Sequence, residues 1–261
     1  MSESLPAVIL AGGLGTRIRE ETEFKPKPMV EIGGRPVLWH IMKHLSFYGI
    51  DRFIICVGYK GDIIRDYFLN YRARNNDFTV SLGLKNELKL HSDHQESNWS
   101  VTVAETGALT NTGGRVLGIQ KYVAGENFLC TYGDGLSDLN IHELVGFHNE
   151  KNRFATVTAV RPLSRFGIMD LDEQDNVKSF REKPQVEGWI NGGYFIFRPQ
   201  IFDYLNPDIV LENEPLQELA QQNQLSAFKH EGFWQPMDTF RESKMLNDMW
   251  DSGQAPWKTG N

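Results

Sequence analysis

The segment Leu10-Ala11-Gly12-Gly13-Leu14-Gly15-Thr16-Arg17, followed by Lys25-Pro26-Lys27-Pro28, holds the residue types best suited to chemistry on an anion. Glycines directly after an apolar run let backbone N–H groups approach phosphate oxygens closely. Thr16 adds a hydroxyl donor, and Arg17 adds a planar cation matched to phosphate. Lys27 lies between two prolines, which fix the local backbone and can aim its side chain into a pocket. A Rossmann fingerprint needs glycine three residues after Gly15, where the chain has Ile18. A P-loop needs Gly-Lys, which the chain lacks. The glycines alone could equally form an empty turn; two cations in the same short stretch favour an anion site.

Two aspartates stand near glycine or turn signals. Asp134 follows the apolar run Phe128–Tyr132 and is flanked by Gly133 and Gly135, which leave room for a bulky ligand. Asp238 lies in Trp234-Gln235-Pro236-Met237-Asp238-Thr239. Singly, Asp134 reads as an Asp-Gly turn and Asp238 as a helix N-cap. As a pair they supply the oxygen ligands that Mg2+ takes, one or two carboxylates plus substrate phosphates. Glu182-Lys183 ends a strand-like run, and Asn191-Gly192-Gly193 opens another. Their residue types fit a sugar phosphate, yet on the residues alone a solvated pair at a strand end is the preferred reading for Glu182 and Lys183. Thr110 and Arg115 flank Gly113-Gly114, a glycine pair that can also be a plain helix start.

LAGGLGTR with KPKPM resembles the signature of sugar-phosphate nucleotidyltransferases, and the likeness continues through EIGGRPVLWHIMKH, TYGDG, REKP, INGGYF and GFWQPMDT. TYGDG, GFWQPMDT and APWKT are similar to the cytidylyl branch of that family. The resemblance implies a GT-A-like nucleotidyltransferase fold, CTP and glucose 1-phosphate as substrates, and Mg2+ as cofactor. It implies that Leu10 through Arg17, Lys27, Thr110, Arg115 and Gly133 contact the nucleotide. Asp134 and Asp238 would hold the metal. Gly167, Glu182, Lys183 and Asn191 would serve the sugar phosphate, with Arg17, Lys27, Asp134 and Lys183 acting on the reacting groups. The same parts could serve UTP or dTTP; a non-catalytic nucleotide-sugar sensor would be expected to lose Lys27 or the aspartates.

Positioning these residues requires a sheet. Short apolar runs at Ala7–Leu10, Phe53–Val57, Phe128–Tyr132 and Ala155–Val160 read as buried strands, separated by helical periodicity at 36–48, 63–71, 114–123 and 140–150. This alternation predicts an α/β, Rossmann-like, mostly parallel mixed sheet with helices on both faces. Shorter strands are expected at 168–171, 177–181, 194–197 and 227–230, and helices at 215–223 and 239–250. Residues 72–100 look like a polar excursion from the sheet. The chain reads as one domain over 1–261, with a nucleotide part to about residue 150 and a sugar-phosphate part beyond.

With 261 residues, 40% of them hydrophobic, the chain can bury a sizeable core. A net charge of -7 argues against a nucleic-acid partner but not against a small anion held by local cations. Cys56 and Cys130 sit in apolar runs and read as buried free thiols. His40 and His44, four apart on a helix, lack the acidic third ligand of a metal site, and His91 and His94 lie in a polar stretch. No segment reaches membrane-span length, so a cytoplasmic protein is expected, and the resemblance adds a homo-oligomer.

Overall fold

A computed structural model of the chain describes residues 5–13, 15, 22–83, 87–92, 95–123, 125–164 and 166–259. Its centre is a seven-stranded sheet. In chain order the strands are β1 (Ala7–Leu10), β2 (Arg52–Val57), β3 (Ser100–Glu105), β4 (Phe128–Tyr132), β6 (Ala155–Val160), β9 (Ile190–Phe197) and β10 (Leu225–His230). Across the sheet they run β10-β6-β9-β4-β1-β2-β3. Every pairing is parallel except the two made by β9, which is antiparallel to both neighbours. The mixed, mostly parallel sheet expected from the sequence is therefore present.

Alternation along β1 explains why the sheet is covered on both sides. Ala7 and Ile9 join one apolar cluster, with residues of α1 (Val37–Phe47), α4 (Ile141–Lys151) and α6 (Phe240–Asp251). Val8 and Leu10 join the other, with residues of α3 (Thr112–Gly118) and α5 (Glu214–Gln221). A strand buried on both faces reads as a continuous apolar run, and β1 is wholly buried. Cys56 and Cys130 are buried free thiols in the strands on either side of β1, and burial pushes the Cys56 thiol up to about 12.

Two outlying pieces depart from the sheet. The excursion after α2 (Gly61–Leu69) contains a hairpin of Phe78–Val80 with Leu88–Leu90. A second hairpin, β7 (Ile168–Leu171) with β8 (Val177–Arg181), forms its own two-stranded sheet. Strand β3 falls in a region the sequence left without an element. It is an edge strand, mostly half-buried, and its sequence SVTVAE lacks the apolar run that marks the central strands. Two three-residue strands also carry no sequence signal: β5 (Gly135–Ser137) and β11 (Trp234–Pro236), which pair antiparallel.

The helix histidines are structural. His40 Nε2 donates to the Ile32 carbonyl at 2.8 Å, and its Nδ1 accepts from Trp257 Nε1 at 3.4 Å. His44 Nε2 donates to the Leu139 carbonyl at 2.8 Å. Burial holds His40 and His148 down to about 4. Both are neutral in the fold at pH 6 while the unfolded chain takes up protons below about 6.5. Their contribution to stability is complete above that value and is lost as pH falls toward 4. Denaturant unfolding followed between pH 6.5 and 4 should show stability falling at a slope approaching about 2.7 kcal/mol per pH unit from the two groups together. A flat profile over that window would contradict the assignment.

Candidate active site

The carboxyl ends of β1 and β4 open into a cavity of about 420 Å3. It is lined by Leu10, Ala11, Gly12, Gly13, Gly15, Lys27, Pro28, Thr110, Asn111, Thr112, Arg115, Tyr132, Gly133, Asp134 and Asp238. This is where open α/β sheets bind ligands. The residues come from distant parts of the sequence, and the described residues expected to contact nucleotide or metal all reach it. Leu14, Thr16 and Arg17 lie outside the described residues, as does His94.

Lys27 stands at the centre of the charge arrangement. Pro26 is extended, and Lys27–Met29 forms one turn of 3-10 helix containing Pro28. The prolines thus fix the backbone as the sequence suggested. Pro28 packs against Gly133 so closely that a Cβ there would lie 2.9 Å from the proline Cγ. The Lys27 ammonium donates to Asp134 Oδ2 at 2.5 Å and to Asp238 Oδ1 at 2.5 Å. Its side chain is 12% exposed, against 28% and 18% for the two aspartates. Burial alone would lower the ammonium, but the two carboxylates outweigh it and hold Lys27 above its ordinary value. The group is charged at neutral pH.

Asp134 and Asp238 meet because of the short β5–β11 pair. Gly135 lies opposite Pro236, and the Met237 N–H donates to the Asp134 carbonyl at 2.9 Å. Asp238 is not the helix cap. That position belongs to Thr239, whose side chain accepts from the Glu242 N–H while Glu242 accepts from the backbone N–H groups of Thr239 and Asp238. A complete capping box on the next residue leaves the Asp238 carboxylate for the cavity. The donor set fits Mg2+: two hard carboxylate oxygens from separate elements already share one cation, facing a cavity that can admit phosphate oxygens. Among the described residues no group of three or more His, Cys, Asp or Glu is placed to hold a metal ion.

Arg115 lines the cavity, but its guanidinium is bonded to the pocket's own frame. It donates to the carbonyls of Gly12 at 2.9 Å, Val57 at 3.2 Å and Gly107 at 2.8 Å, and to Thr106 Oγ1 at 2.8 Å. These bonds tie together the segments leaving β1, β2 and β3. Gly12 is required for this approach, since a Cβ there would sit 2.1 Å from an Arg115 nitrogen.

The sugar-side residues are not all gathered into the cavity. Glu182 and Lys183 form an exposed pair, 3.4 Å apart, after β8. Gly167 meets that pair's hairpin, with Phe180 and Glu182 Oε2 against the place a Cβ would take. None of the three lines the cavity. Asn191 sits nearer, hydrogen-bonded to Tyr132 and accepting from the Gly193 N–H at 2.8 Å.

Sequence reasoning missed a polar relay behind the cavity wall. Glu212 accepts from the Tyr132 hydroxyl and, at 2.6 Å, from Thr112 Oγ1. Thr112 in turn accepts from the Leu211 N–H at 2.9 Å. Burial, with Glu212 beside it, holds the Tyr132 phenol well above its ordinary range, so it remains a donor. The tyrosine of TYGDG and the threonine before Gly113 were visible signals; Glu212, in the irregular run before α5, had none.

The cavity thus sets a glycine-lined loop at the strand ends beside a lysine held by two carboxylates. The nucleotidyl transferase family pattern matches residues 6–238, and the chain belongs to that family. Among its relatives, it is 50% identical over 258 residues to the glucose-1-phosphate cytidylyltransferase of Salmonella typhi, covering 98% of this chain and 99% of that one. The probable glucose-1-phosphate cytidylyltransferase of Bacillus subtilis (strain 168) is 43% identical over 256 residues, covering 97% and 99%. Of solved structures, HddC from Yersinia pseudotuberculosis matches in fold with a TM-score of 0.70 at 24% identity, covering 95% of this chain and 100% of that one.

Exchanging either aspartate for its neutral isostere tests the site with little change of shape. Asp134→Asn and Asp238→Asn should each lower turnover by roughly 10²–10³, with circular dichroism spectra like wild type. Near-normal turnover in both variants would remove the pair from the site.

Proposed function

We propose that this chain transfers a cytidylyl group from CTP to α-D-glucose 1-phosphate, giving CDP-glucose and pyrophosphate. The observation that carries the reading is the Lys27 ammonium between Asp134 and Asp238 in a glycine-lined cavity at the strand ends. The substrate pair rests on the near-complete alignment with the cytidylyltransferases at 50% and 43% identity.

Both substrates are anions, so the protein's task is to neutralise charge and align the reactants in line. A glucose 1-phosphate oxygen attacks the α-phosphorus of CTP; the new P–O bond forms as the bond to the bridging oxygen of the β-phosphate breaks, and pyrophosphate leaves with that electron pair. The attacking phosphate is already ionised near neutral pH, so the step needs no general base. Backbone N–H groups of the 10–15 loop and Arg17 hold the β- and γ-phosphates. Lys27 stabilises charge at the α-phosphate. The segment from Thr110 to Arg115 faces the base and ribose, with Arg115 bracing the wall. Mg2+ bound by Asp134 and Asp238 would neutralise triphosphate oxygens and favour departure of the leaving group. Lys183, Glu182, Gly167 and Asn191 serve the sugar phosphate, the first three from the β7–β8 hairpin region.

The halves divide near residue 150, the first for nucleotide and the second for sugar phosphate, with Asp238 crossing into the nucleotide cavity. A homo-oligomer belongs to the same reading. The Phe78–Leu90 hairpin carries exposed Phe78, Val80 and Leu88, apolar surface suited to a second copy. Light scattering should return a mass above one chain.

Pyrophosphate release with glucose 1-phosphate and each of CTP, UTP, GTP, ATP and dTTP, with and without Mg2+, tests the reaction. CTP with Mg2+ should be preferred, and Lys27→Ala should lose at least about 10²-fold in rate. Preference for another nucleotide would redirect the base assignment, and a tenfold loss or less in the variant would make Lys27 peripheral.

A further inference from the structure

Lys27 lies where a cation shared by Asp134 Oδ2 and Asp238 Oδ1 would lie. Its Nζ is 2.5 Å from an oxygen of each carboxylate, and those carboxylates belong to separate segments brought together by the β5–β11 pair. A divalent ion bound to both would need its own oxygens at about 2.0–2.1 Å for Mg2+. An ion on those same two oxygens and the ammonium exclude each other. Expelling the ammonium into a cavity without a partner leaves a poorly solvated charge, which is strongly unfavourable. A nucleotide triphosphate changes that balance, because the cavity Lys27 lines would then hold anionic oxygens able to receive the ammonium. Pro26 and Pro28 fix the backbone on either side, so the transfer falls to the lysine side-chain torsions.

We propose that Lys27 is the resident cation of the metal position and couples metal binding to nucleotide binding, so that the divalent ion enters with the nucleotide rather than before it. This rests on the reading of Asp134 and Asp238 as metal ligands. By linkage the coupling is reciprocal: whatever factor the nucleotide gives the metal, the metal returns to the nucleotide. Lys27 thereby keeps the two carboxylates from repelling each other while the site waits.

The test uses the full chain without nucleotide. Free Mn2+ is followed by electron paramagnetic resonance during titration of wild type, Lys27→Met and Lys27→Gln. Both variants should bind one Mn2+ at least tenfold more tightly than wild type, and adding Asp134→Asn should abolish the gain. Equal affinity in wild type and variants would overturn the proposal. Lys27→Gln keeps an N–H donor for one carboxylate and carries the comparison should Lys27→Met fail to fold. Wild type alone gives a further check: saturating CTP should raise the protein's Mn2+ affinity at least tenfold, after allowance for Mn2+ held by CTP in solution, and no rise would overturn the proposal. Failure of the metal reading has a separate signature, namely wild-type pyrophosphate release that continues undiminished after divalent cations are chelated.

Discussion

A half-buried ammonium held between two carboxylates organises this site. Like charges repel in a small, partly desolvated space unless a counter-ion joins them, and Lys27 stands between Asp134 and Asp238. Each of the three is delivered by a different device. The prolines fix Lys27, the end of β4 presents Asp134, and the three-residue strand β11 carries the chain to Asp238. The mostly parallel sheet behind them supplies the rigid edge, and Arg115 binds the segments leaving β1, β2 and β3 into one floor. The cavity is thus pre-formed, which is what charge stabilisation of a transfer reaction requires.

Much of the fold was legible because its central strands are buried on both faces. Four apolar runs, at Ala7, Phe53, Phe128 and Ala155, were enough to imply a parallel sheet with two covered sides. Strand β3 was illegible for the opposite reason: at the edge, half-exposed, it has no apolar run. Strands β5 and β11 are too short to show a period, yet they bring the aspartates together. Residue type suggested Lys27, Asp134 and Asp238, while only the structure shows that the helix cap is Thr239 and not Asp238.

Arg115 and Glu212 illustrate what spacing does not reveal. Arg115 carries the charge expected of a ligand contact, but its donors face carbonyls of the protein's own loops. Glu212 has no motif, but it joins Thr112 on the cavity wall to Tyr132, which meets Asn191. Such roles depend on which segments converge in space. Lys183, at an exposed turn after β8, stands apart from the cavity.

If Lys27 serves the phosphates of a bound nucleotide, its ammonium must leave the aspartates when CTP binds. A crystal structure of the complex with CTP and Mg2+ measures this through the position of one atom. The Lys27 Nζ should lie within hydrogen-bond distance of a triphosphate oxygen, with both aspartates on the metal. Lys27 still bridging Asp134 and Asp238 beside a fully bound nucleotide would contradict it.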